Sequence, residues 1–355
     1  MMNDHKENNN EVILHVGLHK TGTTSIQETF FLNDNNRRLE DKGYIYPKCW
    51  TANHSASVYS AFCDDPTQYH ANIRSGASAD QIKYNNERYL KDLKKELEER
   101  GLSKLIVSGE DISLLSLDNL NALKAYLIAV HSNKIKVMIY VRDPLHWAIS
   151  TIQQFIKNGR QNYQSALALM KQSIGNLFED RIGKFMHVFG SENVRVYSFE
   201  EAVVHDYGPV GHFLSVIGMN PEDIAEFNIV KANESISLIA GEIISYINER
   251  MPFFIDGKMN EDRANGDIYP FMNVKGSKFD IDYTNKQILL ENSQSSIEWL
   301  KKNWGIDYSS SEVLSTEPLN SKLSEERIEE IVRASMEVSA TLKNLAIEYI
   351  QIKQP

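Results

Sequence analysis

Between Glu11 and Gln27 an apolar run, Val12 to Val16, stops at a glycine. A short loop with one lysine follows, then a second glycine, two threonines and a helix expected over Ser25 to Leu32. This is how a parallel strand hands over to a helix whose uncapped N-terminal amides attract an anion. Gly17 and Gly22 let the backbone turn tightly and approach an oxyanion with no Cβ in the way. Thr23 and Thr24 add hydroxyl donors, and Lys20 adds a full positive charge. Few architectures other than a parallel α/β sheet use such a corner.

The phosphate loop of nucleotide hydrolases and kinases, G-x-x-x-x-G-K-[ST], shares the two glycines. Here, however, Thr23 stands where that motif needs its lysine, and Lys20 lies three positions earlier, inside the loop. A lysine so displaced addresses a different atom of the ligand. The arrangement Gly17-x-x-Lys20-Thr21-Gly22-Thr23-Thr24 instead resembles the 5′-phosphosulfate loop of sulfotransferases that use 3′-phosphoadenosine 5′-phosphosulfate (PAPS). His19 to Gln27 is similar in particular to the bacterial, carbohydrate-type branch.

The rest of the chain agrees with an α/β domain. A short strand is expected over Gly43 to Tyr46. Residues 48–79 read as a long irregular segment, either a candidate acceptor lid or a simple surface excursion. A helix follows over Gln81 to Arg100, ended by Gly101. Strands are expected over Lys104 to Ser108, Ile135 to Val141 and Asn193 to Phe199, the second almost wholly apolar, as befits a strand buried on both faces. Helices are expected over Leu117 to His131, Pro144 to Asn158 and Ser165 to Phe189, with Asp143 as N-cap and Pro144 at the first helical position. Strands alternating with helices imply a parallel, doubly wound sheet, and ligands on such sheets bind beyond the carboxyl ends of the strands. That rule sets Lys20, Glu110 and Arg142 on one edge. Beyond residue 205 the expectation is helical (Tyr207 to Ile217, Ser235 to Arg250, Ser293 to Trp304, Glu325 to about Ile352), with a loop over Met251 to Asp282. The economical organisation is a polar, disordered tail over residues 1–10 and one domain over 11–355, its nucleotide-binding core at about 11–200 and a helical acceptor and cap region at about 201–355.

A second motif strengthens the resemblance. Arg142-Asp143-Pro144, with Ser150 two turns into the next helix, is similar to the 3′-phosphate-binding motif of the same superfamily. An arginine fork and a serine hydroxyl suit the phosphate that distinguishes PAPS from ordinary adenine nucleotides. The Lys275-Gly276 pair is similar to an adenosine loop of the cytosolic branch, but its surroundings differ and no role is carried over. Ile229 to Ser237, with Asn233-Glu234-Ser235, and the Trp299 to Trp304 helix are similar to the bacterial branch more loosely.

The resemblance implies a P-loop-like α/β/α fold and transfer of a sulfuryl group from PAPS to an acceptor hydroxyl, on a glycan or glycoconjugate. It implies donor binding by His19, Lys20, Thr21, Gly22, Thr23, Thr24, Arg142 and Ser150, catalysis by Lys20 and a base at Glu110, and no metal. His19 and His54 are reserve candidates for the base. Two other readings are a nucleotide-dependent kinase, which needs the missing lysine, and a non-catalytic nucleotide-binding protein.

Charge and composition bound the partners. Of 355 residues, 42% are hydrophobic, ample for a core, and the net charge of −10 disfavours nucleic acid or an anionic membrane. An anionic ligand therefore needs a local basic island. Two cysteines give no disulfide framework, and no apolar run reaches about 18 residues, so a cytoplasmic protein without a membrane span is expected.

Overall fold

A computed structural model describes residues 10–232, 235–311 and 323–354. The expected tail, apart from Asn10, and Asn233-Glu234 of the looser resemblance lie outside the described residues. The chain packs as two compact units, one built from the described residues up to Arg142 with Phe178–Ala232, the other from Asp143–Leu177 and the described residues beyond 232.

The first unit holds a five-stranded sheet. Its strands are β1 (Glu11–His15), β2 (Tyr44–Ile45), β3 (Lys104–Ser108), β4 (Ile135–Val141) and β5 (Val194–Ser198), in spatial order β2-β3-β1-β4-β5. Every pairing is parallel. β1 lies at the centre, registered so that His15 faces Ser108 on one side and Met138 on the other. Six of the seven residues of β4 are buried, which is why it reads as a continuous apolar run. The fold class expected from the sequence, an α/β domain around a parallel sheet, is what the chain adopts.

Several local expectations need correction. Residues 48–79 are not irregular: they contain the helices Ser55–Phe62 and His70–Ser75 and a 3₁₀ turn at Pro66–Gln68. Their order comes from contacts distant in sequence. The His54 amide donates to the Ser108 carbonyl at 3.0 Å, and the Ser108 amide donates back to His54 Nδ1 at 3.1 Å. The helix Asn33–Asp41 was not expected from Asn-Asp-Asn-Asn, a run of poor helix formers. Buried Asn35 and Asn36 favour it by donating to the carbonyls of Thr29 (2.7 Å) and Tyr46 (2.9 Å).

The stretch expected as one helix from Ser165 to Phe189 breaks after Ser173 and resumes at Leu177. There Ser296 donates to the carbonyls of Ile174 (2.9 Å) and Gly175 (2.7 Å), satisfying groups that a continuing helix would use. The expected helix from Glu325 likewise divides into Glu325–Ser335 and Ala340–Lys353, the second capped by Ser339. Met251 to Asp282 carries a two-residue hairpin (Phe254–Ile255 with Lys258–Met259) and the short helix Tyr269–Met272. Tyr283–Asn292 is a helix that sequence reading did not single out. Asp143 caps the helix Pro144–Lys157 as expected, accepting the His146 amide at 2.9 Å.

Two imidazoles are wholly buried in the first unit, His15 at the end of β1 and His54 beside β3. Burial disfavours their charged form and pulls both down to about 3. The unfolded chain, with histidines near 6.5, therefore takes up protons first as pH falls, and the folded state loses stability through that window. Each group costs on the order of 1.4 kcal/mol per pH unit below its unfolded value. The urea midpoint should accordingly fall between pH 6.5 and pH 5, above the range where most carboxylates titrate. A flat profile there would contradict it.

Candidate active site

The corner after β1 is shaped by its glycines. A Cβ on Gly17 would lie 1.9 Å from Thr23 Cγ2, so only glycine permits the loop to fold back against its own helix. Gly22 takes φ +77° and precedes the helix Thr23–Phe31, whose start no side chain caps. The first-turn amides of that helix are thus available to an anion. Lys20 itself is left-handed, φ +71°, an uncommon conformation for a residue with a side chain.

The hydroxyls of the loop divide in role. Thr21 is buried and donates to the Leu18 carbonyl at 2.6 Å, which closes the loop from inside. It can offer a ligand its amide but not this hydroxyl. Thr23 donates to Glu110 Oε2 at 2.7 Å. Glu110 therefore does not cap the 3₁₀ turn Asp111–Leu114 that it precedes; its carboxylate is turned to the loop after β1. Thr24 is half-buried at the same helix start, and Ser25 accepts the Ala232 amide at 3.1 Å.

Arg142 follows β4 directly. Its Nη1 donates to the Lys20 carbonyl at 3.3 Å, and its guanidinium lies 5.4 Å from the Phe199 ring centroid. Lys20, Glu110 and Arg142 thus share the carboxyl rim of the sheet, as parallel topology dictates. Ser150 stands half-buried on Pro144–Lys157, in the second unit.

Behind the loop lies a network that sequence reading missed. Asp111, buried, accepts from His19 Nε2 (3.0 Å) and from the Tyr69 hydroxyl (2.6 Å), and pairs with His70 Nε2 at 3.4 Å. Its amide donates to Ser55 Oγ at 3.0 Å. Burial opposes its ionisation, yet the bonds from His19, His70 and Tyr69 hold its carboxyl far below the usual range. Burial likewise pulls His19 down, but the Asp111 bond and the nearby Glu110 charge outweigh it and leave the ring above its ordinary value. The signal in sequence was a second acidic residue beside Glu110; its partners lie 42 and 92 residues away. His54, the other reserve base, is wholly buried with Nδ1 on the Ser108 amide, so solvent and substrate do not reach it.

In the second unit, Lys275 and Gly276 line a cavity of about 540 Å³ with Ser235, Ser237 and Lys278. Among the described residues no group of three or more His, Cys, Asp or Glu is arranged to hold a metal ion. No helix among them is long and apolar enough to cross a membrane.

No curated protein sequence matches the chain. Among solved structures it is similar to a sulfotransferase from Alicyclobacillus acidocaldarius, 16% identical over 59% of this chain and 87% of that one, with a TM-score of 0.37. It is also similar to a retinol dehydratase in complex with androsterone and inactive cofactor PAP, 14% identical over 84% of this chain and 83% of that one, with a TM-score of 0.36. Residues 10–205 match the family model of the sulfotransferase domain, a segment of more than half the chain that takes in the loop, Glu110 and Arg142. The chain therefore belongs to the sulfotransferase domain family, and with it to the PAPS-dependent sulfotransferase superfamily.

Proposed function

We propose that this enzyme moves the sulfuryl group of PAPS, in line, to a hydroxyl of a carbohydrate acceptor in the cytoplasm. The donor supplies the activated sulfuryl group and a 5′-phosphate that leaves. Lys20 neutralises charge growing on the leaving oxygen, while the amides of Gly22, Thr23 and Thr24 and the Thr24 hydroxyl hold that phosphate. His19, whose ring the Asp111 bond and the Glu110 charge hold above its ordinary value against burial, favours positive charge beside the loop. Thr21 contributes through its main chain. Arg142 reads the 3′-phosphate with its fork of donors. Glu110 takes the acceptor's proton as the new S–O bond forms.

The observation that carries the reading is the 2.7 Å bond from Thr23 to Glu110, which joins the carboxylate after β3 to the anion-binding loop after β1. That bond supports the reading by setting the carboxylate beside the loop to which Lys20 belongs. The test is transfer of labelled sulfuryl from PAPS to a panel of glycans and small phenols. Adenosine 3′,5′-bisphosphate (PAP) should raise the melting temperature without magnesium; stabilisation by magnesium ATP alone would overturn the reading in favour of a kinase.

Arg142→Ala checks the 3′ assignment. Loss of a charge-assisted pair should weaken PAP roughly tenfold to a hundredfold while leaving adenosine 5′-phosphate nearly unaffected. Equal losses for the two nucleotides, measured by calorimetry, would mean that Arg142 does not read the 3′ position.

A further inference from the structure

We propose that Arg181 recognises an oxyanion on the acceptor, so that the substrate is an acidic hydroxyl compound, a sugar bearing a carboxylate or sulfate ester, and not a neutral one. The inference rests on the sulfuryl-transfer reading above.

The helix Leu177–Phe189 is held to the turn after Glu110 by Lys184, whose Nζ donates to the carbonyls of Ser113 and Leu115, each at 2.7 Å. Arg181 lies three residues earlier, on the same face, and so is carried to the same turn. Its charge is felt by His19, Asp111 and Tyr59, which ties it to the network behind the loop.

The guanidinium is half-buried, yet among the described residues no hydrogen bond or ion pair reaches it. Asp111, the nearest buried carboxylate of that network, is already engaged by His19, Tyr69 and His70. Asp180 is its chain neighbour and lies exposed to solvent. Elsewhere half-buried arginines are supplied with acceptors: Arg100 has Glu96, Glu40 and Asn36, and Arg327 has Glu326 and Glu330. Its fork of donors is therefore left to solvent and open to a ligand, and Lys184 on the same face adds to the local positive charge. A planar oxyanion satisfies that fork in two parallel bonds. Because the turn beneath Arg181 is the one that carries Glu110, an acceptor so anchored presents a neighbouring hydroxyl to the base.

The test compares matched acceptors with PAPS as donor: nitrophenyl glucuronide against nitrophenyl glucoside, and a glucose sulfate against glucose. The first pair asks for a carboxylate and the second for a sulfate ester. Wild type should favour the charged member of at least one pair by roughly tenfold or more in kcat/KM, expressed in KM. Arg181→Gln should erase that preference and Arg181→Lys should keep part of it, with KM for PAPS unchanged in both. Equal use of charged and neutral members, turnover of neither pair, or a preference that survives Arg181→Gln overturns the proposal. A weakened affinity for PAP in Arg181→Gln also overturns it, by assigning the residue to the donor. Should Arg181→Gln fail to fold, the wild-type preference and the lysine variant decide. Failure of PAP to stabilise the wild type would instead refute sulfuryl transfer itself, so the two failures are distinguishable.

Discussion

Lys20→Ala is expected to lose sulfuryl transfer by roughly a hundred- to a thousandfold in kcat, the usual consequence of removing one donor that stabilises developing oxyanion charge. The fold should survive. Alanine, like lysine, has a Cβ, so the left-handed backbone at this position is no harder to adopt than before. A half-exposed loop side chain also contributes little to stability, within about 0.5 kcal/mol. The loss should lie in kcat at saturating PAPS more than in KM, because the charge that Lys20 meets grows only as the bond to the leaving phosphate lengthens. Steady-state kinetics with an unchanged melting curve is the decisive pair of measurements. Undiminished turnover would remove Lys20 from the mechanism.

Glu110→Gln should produce the other large effect, a fall of roughly a hundred- to ten-thousandfold, the range attributed to one positioned acid or base. Glutamine retains an oxygen that can accept from Thr23, so the bond that now measures 2.7 Å has a replacement and the loop keeps its shape. What is lost is the capacity to take a proton. The deficit should consequently shrink with acceptors whose hydroxyl is already ionised at the assay pH, such as nitrophenols, and persist with sugar alcohols. A deficit of equal size for both acceptor types would show that Glu110 serves some purpose other than proton removal.

How much of this could be read from residues alone varies with the range of the interactions involved. The strands β1, β3 and β4 were legible because a strand buried on both faces leaves an apolar run in the sequence. Lys20, Glu110 and Arg142 were legible as neighbours because all three follow such runs at once, and parallel strands point the same way. The inward turn of Thr21 was not, since a threonine that closes a loop and one that faces a ligand look alike in a string of letters. Nor was the Asp111 network, whose members Tyr69 and His70 belong to a segment that reads as irregular. That segment is ordered by His54 and Ser55 docking on the end of β3, contacts that span more than 50 residues and leave no periodic trace. The helix Asn33–Asp41 shows the same limit in reverse, with tertiary hydrogen bonds overriding weak local preference.

The bond from Arg142 to the Lys20 carbonyl has an implication for how a two-ended ligand is sensed. The guanidinium leans on the main chain of the very residue that carries the ammonium, so the backbone under Lys20 and the Arg142 side chain are positioned together. If the two side chains hold the two ends of PAPS as proposed, this peptide oxygen couples grip at one terminus to grip at the other, and the pair acts as a yoke more than as two separate handles.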